Sequence, residues 1–182
     1  IGGSVCYLKI DDSVINRTHQ ELNGTLYLPW LDTAALAMKG NQVKIITRPA
    51  EGWLQNQYDF PTIISAGPLL LWNKKIIQQQ AHRFNTARHC RTGIGLTKDH
   101  RLLIIAVDGQ TKEAAGFTNT EFAKLFKTLK CVNAINLDGG GSTTMWVNGE
   151  PDSGVISHPT DNKKYDHFGE RKVANAILIL KR

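Results

Sequence analysis

The residues best suited to chemistry in this chain are Asp138-Gly139-Gly140-Gly141-Ser142-Thr143-Thr144. Three successive glycines cost conformational entropy on folding, so a fold accepts them where the backbone takes positive φ or something approaches it closely. Successive N–H groups in such a turn form a nest that binds anions. Ser142, Thr143 and Thr144 add hydroxyls, and Asp138 stands just ahead as a carboxylate. Two nucleotide loops are excluded. A P-loop ends in Gly-Lys-Ser/Thr and runs into a helix, whereas no Lys follows Gly141 and residues 143–147 have strand character. The dinucleotide fingerprint also demands a helix at this point. The run therefore reads as a strand–turn–strand that grips a phosphate-bearing ligand, with a glycine-rich hairpin turn as the plain structural alternative.

Four companions stand near the ends of predicted strands: Arg91-Thr92, Asp108-Gly109, Glu170-Arg171 and Asn175. Each alone fits a surface or turn residue, but strand ends are where sheets that carry helices often place ligands. An Asn inside an apolar strand is hydrogen-bonded if buried, so Asn175 either supports the core or points into a site. His89, beside the Arg-Thr pair, is a candidate for titration near neutrality. His158 and His167 fall in a polar loop, and no His-x-x-x-His metal spacing occurs. A divalent cation at Asp138 is conceivable, but no ligand cluster argues for a metal or other cofactor.

These residues need strands to hold them. Residues 5–10 read as a strand followed by an acidic turn at Asp11-Asp12. Asp32 is placed to cap a short helix over 34–38 that Gly40 stops, and 43–47 form a second strand. The apolar stretch 62–72 breaks at Gly67-Pro68 and resumes before a turn at Asn73-Lys74. Residues 101–107 form a continuous apolar run, consistent with a strand buried on both faces. Thr118-Asn119-Thr120-Glu121 is a capping box, and the helix it opens carries Phe122, Leu125, Phe126 and Leu129 on one face with Lys124, Lys127 and Lys130 on the other. Strands are expected over 132–137, 143–147 and 173–180, the last closing the domain. Residues 150–172 are polar and turn-rich, a long loop of the kind that forms lids or rims. The expectation is a single α+β (mixed α/β) domain over 1–182, a twisted, mostly mixed β-sheet flanked by a few helices.

The bulk numbers fit such a domain. The chain has 182 residues, 41% hydrophobic and 21% charged, a globular balance, and a formal net charge of +6 that suits an anionic ligand. Its basic residues are scattered without an interleaved aromatic ladder, which argues against nucleic acid. Cys6, Cys90 and Cys131 show no zinc spacing and read as small buried hydrophobes, although one disulfide with a free thiol is compatible with the count. No stretch approaches the roughly 20 apolar residues of a membrane-spanning helix. Oligomeric state is not legible. The chain opens at Ile1-Gly2-Gly3-Ser4 without Met, as expected of a trimmed piece.

Taken together, Ser65-Ala66-Gly67-Pro68-Leu69-Leu70, Arg88-His89-Cys90-Arg91-Thr92-Gly93-Ile94-Gly95, Val107-Asp108-Gly109, the capped helix, Asn136-Leu137 with the glycine run, and Glu170-Arg171-Lys172-Val173-Ala174-Asn175-Ala176 resemble the phosphodiester glycosidase family. Gln110 stands where the family usually has Arg, and Lys172 where it has Pro. An Asn-Gly-aromatic segment is expected upstream of Gly2, so the resemblance implies an N-terminally incomplete domain, expected to be bacterial. It implies hydrolysis of a sugar-1-phosphodiester, often of the N-acetylglucosamine type, from a phosphorylated glycan or polymer. Under it, Arg91 and the N–H groups of Gly139, Gly140, Gly141 and Ser142 hold phosphate. Asp138 and Asp108 divide the roles of base or nucleophile and acid, and Thr92, Thr143, Asn175 and Arg171 orient sugar or phosphate. Family members mostly work outside the cytoplasm. The competing expectation is a non-catalytic module of the cell surface that binds glycan or phosphodiester polymer.

Overall fold

The computed structural model describes residues 7–10, 13–17, 32–50, 52–53, 59–173 and 176–180. The turn expected at Asp11-Asp12 lies outside them, as does Cys6. The α+β class holds, and in detail the β-structure divides into two five-stranded sheets in which every pairing is antiparallel. The first contains β1 (Tyr7–Ile10), β2 (Ser13–Arg17), β3 (Ala34–Lys39), β4 (Gln42–Thr47) and β5 (Thr62–Ala66), in the order β2-β1-β5-β3-β4. The chain leaves it at Gly67-Pro68, a cis peptide, and enters the second sheet. There β6 (Leu69–Trp72), β7 (Lys75–Ile76), β8 (Arg91–Thr97), β9 (Leu102–Val107) and β10 (Cys131–Asn136) lie in the order β7-β6-β10-β8-β9. Among the described residues there are also two α-helices, α1 (Arg83–Thr86) and α2 (Asn119–Thr128), and two 3-10 turns, Gly140–Ser142 and Asp152–Gly154.

The sheets share one core. Ala34, Leu36, Ile45 and Ala66 of the first meet Leu69, Ile94, Leu96, Ile135 and Leu137 at the second. On the outer face of the second sheet, Phe122 and Phe126 of α2 pack on Leu70, Leu71 and Ala134. Room for those rings comes from β8: a Cβ on Gly93 would fall 2.6 Å from Phe122 Cε1, and one on Gly95 2.5 Å from Phe126 Cδ1. The capping box forms as expected, with Glu121 N–H donating to Thr118 Oγ1 at 3.1 Å and Thr118 N–H to Glu121 Oε2 at 2.9 Å.

Four elements differ from expectation. Residues 34–38 are strand, not helix. The Gly40-Asn41 turn folds the chain back so that all six residues of β3 pair with β4, and its other edge pairs with β5. Ala35 and Ala37 then bury against Trp53, and tertiary packing overrides alanine's helical preference. Asp32 caps no helix: its carboxylate accepts from Trp53 Nε1 at 2.8 Å and Arg48 Nε at 3.1 Å. The apolar run ending at Val107 is an edge strand, partly buried rather than covered on both faces. Residues 143–147 form no strand beyond a bridge between Trp146 and Val155. Residues 173 and 176–180 carry no strand either; Leu178, Ile179 and Leu180 are exposed and Ile177 packs on the inter-sheet core.

The glycine–aromatic contact makes a direct prediction. Gly95→Val overpacks the Phe126 seat, and urea unfolding is expected to show a loss of about 1–3 kcal/mol. An unchanged midpoint would mean that α2 does not depend on that space.

Candidate active site

Strand direction decides where the acidic residues meet. Because β8 is antiparallel to both β9 and β10, its first residues lie beside their last: Arg91 pairs with Val107, and Gly93 with Asn136. Asp108 and Asp138 follow those strand ends. The residue after each is a glycine packed on the backbone of Cys90. A Cβ on Gly109 would fall 2.9 Å from Cys90 N, and one on Gly139 2.5 Å from Cys90 O. The two Asp-Gly pairs thus converge from opposite sides on one point at the start of β8.

The glycine run itself is a short 3-10 turn, Gly140–Ser142, rather than a strand–turn–strand. Its donors are largely spent internally. Gly139 N–H donates to Asp138 Oδ1 (2.9 Å), Gly140 N–H to Cys90 O (3.4 Å), Ser142 N–H to Gly139 O (3.3 Å) and Thr143 N–H to Gly140 O (3.0 Å). Close packing accounts for Gly139, on Cys90, and for Gly141, where Asp161 Oδ1 lies in the place of a Cβ, while Gly140 takes a φ of +62°. Ser142 Oγ is buried with no hydrogen-bond partner among the described residues, a donor that bound solvent or ligand would serve. Thr143 is buried, its Oγ1 lying 3.4 Å from Thr92 Oγ1.

Arg91 does not face this turn. Its side chain is fully buried and donates to the Phe117 carbonyl (2.9 Å) and to those of Phe84 (2.6 Å) and Ala87 (3.1 Å), with the guanidinium 4.9 Å from the Phe84 ring centroid. Burial pulls its pKa down to about 10. The expected phosphate role is therefore corrected: Arg91 ties α1 and the strand lead-in to β8. A buried cation that satisfies carbonyls is indistinguishable in sequence from one that meets a ligand.

The basic residue at the turn is Arg171. It is partly exposed, donates from its backbone to Gly141 O (3.2 Å) and grips Asp161 with both Nε and Nη2 at 2.7 Å. Those bonds hold the Asp161 carboxyl below its ordinary range and raise Arg171, which also feels the charge of Asp138. Asn175 lies outside the described residues.

Sequence reasoning missed the partner of Asp108. His158 donates its backbone N–H to Asp108 Oδ1 (2.8 Å), and its Nδ1 lies 2.7 Å from Oδ2. The contact spans fifty positions and has no motif to announce it; two histidines and a tyrosine within ten residues of polar loop are the nearest thing to a signal. Next to this pair, Gln110, Lys112, Thr160, Lys163, Lys164 and Tyr165 border an open cleft of about 750 Å³. Cys90 and Cys131 are free and buried, and burial pushes both thiols above their ordinary range. Among the described residues no group of three His, Cys, Asp or Glu is placed to hold a metal ion. No described helix is long and apolar enough to cross a membrane.

In this two-sheet α+β domain the acidic strand ends lie under a loop carrying Arg and His. A profile of the phosphodiester glycosidase family matches residues 11–180, and the chain belongs to that family. It is 41% identical over 99 residues to the N-acetylglucosamine-1-phosphodiester alpha-N-acetylglucosaminidase of Bos taurus, covering 54% of this chain and 18% of that protein. It is 40% identical over 80 residues to the Homo sapiens protein of that name, covering 44% and 15%. A third relative, the SPbeta prophage-derived uncharacterized protein YomE of Bacillus subtilis, is 41% identical over 63 residues, covering 35% of this chain and 10% of its own. The chain thus spans less than a fifth of these relatives. Among solved structures, the zebrafish N-acetylglucosamine-1-phosphodiester alpha-N-acetylglucosaminidase catalytic domain, auto-inhibited by its pro-peptide, shares the fold with a TM-score of 0.64 and 24% identity, over 85% of this chain and 50% of that one.

Two outcomes test the assignments. Arg91→Met leaves three carbonyls without their donor, and thermal unfolding is expected to show a loss of about 2–4 kcal/mol; a phosphate ligand would instead cost affinity at constant Tm. The Asp161 carboxyl is depressed in the folded state. Its contribution is therefore present above its ordinary value of 3.8 and disappears as pH falls through the lower folded value. Asp161→Asn should lose less stability than wild type across that acid window; parallel acid-unfolding curves would count against the pair.

Proposed function

We propose that this chain hydrolyses the bond between the anomeric carbon of a sugar, of the N-acetylglucosamine type, and a phosphodiester, releasing sugar from a phosphorylated glycan or polymer. The observation that carries the reading is the placement of Asp138 and Arg171 at the glycine turn: Asp138 accepts from Gly139 N–H, while Arg171 bonds the Gly141 carbonyl through its backbone and feels the charge of Asp138. The names of the curated relatives support the same substrate class.

The chemistry suits the residues. The leaving group is a phosphate monoester with a second pKa of about 6, so it departs largely unprotonated at neutral pH and a strong acid is dispensable. The site must supply a cation for the phosphate and a carboxylate for the anomeric carbon. Arg171 takes the first role, its planar fork matching phosphate oxygens, with Ser142 Oγ as an added donor. Asp138 takes the second, and Asp108 is the other acidic group. Lys112, Lys163 and Lys164 outnumber Glu113 in the lining of the cleft, which leaves it positive where Gln110 replaces the family's usual Arg. Thr92 and Thr143 hold the turn, no metal is required, and the setting is extracytoplasmic.

The test is release of free sugar from a nucleotide-linked N-acetylglucosamine and from simpler sugar-1-phosphodiesters. Asp138→Asn is expected to lower the rate by about 10²–10⁴-fold while Tm stays near that of wild type. Saturable binding with no sugar released by the wild type would replace this reading with the non-catalytic module.

A further inference from the structure

We propose that His158, oriented by Asp108, is the proton acceptor of the reaction, taking the proton of the water that attacks the anomeric carbon. This rests on the hydrolytic reading above and reassigns Asp108 within it, from an acid or nucleophile to a positioning residue.

The geometry is that of an imidazole held on three sides. One edge is fixed by the carboxylate, with Nδ1 2.7 Å from Asp108 Oδ2 and the backbone N–H of the same residue 2.8 Å from Oδ1. One face is covered by Tyr165, whose ring lies 3.8 Å away and only 4° from parallel. His167 packs against the imidazole at 4.3 Å and 38°, its own Nδ1 2.9 Å from the Ser157 carbonyl oxygen. No protein partner among the described residues reaches Nε2, and the side chain keeps 19% exposure. A carboxylate at Nδ1 selects the tautomer that carries its hydrogen there, which leaves the Nε2 lone pair as acceptor. A merely structural histidine would have both nitrogens engaged or one open to bulk solvent. Tyr165 links the ring to the cleft, since it both stacks on the imidazole and lines that cleft.

The charged and titratable groups around the imidazole favour this role. Asp108 faces it from the end of β9; Tyr165 and His167 face it from its own loop. Behind Asp108, the Cys90 thiol lies 3.1 Å from the Gly109 carbonyl oxygen and 3.9 Å from Thr160 Oγ1. Burial pushes that thiol up, so it stays neutral and does not compete for the proton. The Asp161–Arg171 ion pair follows on the same loop.

The step balances without a co-reactant. Water oxygen bonds to the anomeric carbon and its proton passes to Nε2. The carbon–oxygen bond to phosphate breaks, and the phosphate monoester leaves with the bonding pair as an anion. The imidazolium, stabilised by Asp108, returns its proton to solvent. The same transfer serves whether water displaces phosphate directly or opens a glycosyl intermediate on Asp138.

The experiment compares wild type, His158→Gln and Asp108→Asn on a nucleotide-linked N-acetylglucosamine, with kcat and KM followed across pH. His158→Gln is expected to lower kcat by about 10²–10⁴-fold, to change KM far less, and to remove one ionisation from the pH profile of kcat/KM. Asp108→Asn should lower kcat as well, with KM changed far less. Added imidazole should restore part of the rate to His158→Gly, a rescue that a packing role would not show and that needs only the folded fraction. Wild-type turnover with an unchanged rate and pH profile in His158→Gln overturns the role of His158 and leaves the hydrolytic reading standing. Absence of wild-type turnover overturns both.

Discussion

The backbone at Cys90 is enclosed by chain that carries no side chain, and the rest of the site depends on that close approach. Gly109 and Gly139 reach Cys90 from β9 and β10, at distances no Cβ could tolerate. Each glycine is preceded by an aspartate, so the contact that closes the sheet end also fixes where the two carboxylates stand. Placement of the two carboxylates and backbone packing are the same constraint here. An alanine at either glycine would move an aspartate as well as strain a turn.

That constraint explains why much of the site could be read from the amino-acid sequence. Asp-Gly twice, each after an apolar strand, marks two strand ends, and antiparallel pairing with β8 brings them together. The capping box of α2 and the break at Gly67 were equally legible, because caps and breakers act locally. The direction of a side chain was not. Arg91 and Arg171 look alike in sequence, yet one is folded back on carbonyls and the other lies partly exposed at the glycine turn. The alanines of β3 carry a helical preference that only a two-sheet core overrules. His158 meets Asp108 through a loop whose path no local pattern encodes.

The donors of the glycine turn teach a related point. A run of glycines signals that the backbone is approached closely, without saying by what. In a phosphate loop the visitor is the ligand. Here the visitors are Cys90 and Asp161, and the turn's N–H groups are mostly satisfied within the protein. Under the proposed function, charge complementarity for a phosphate comes from side chains, Arg171 and the cleft lysines.

The loop that brings those side chains is pinned to the sheet ends at several separate points. Ser157 Oγ accepts from Met145 N–H at 2.8 Å, His158 engages both oxygens of Asp108, Asp161 covers Gly141, and Arg171 bonds the Gly141 carbonyl. None of these contacts belongs to the hydrophobic core, and several are partly exposed, so each alone is weak. They act together because one chain segment makes all of them: releasing His158 frees the path that carries Asp161 and Arg171. Segments with few buried apolar contacts open at lower free energy than the sheets beneath them. The two carboxylates are thus set by backbone contact, while the groups proposed to accept a proton and to hold phosphate ride on this loop.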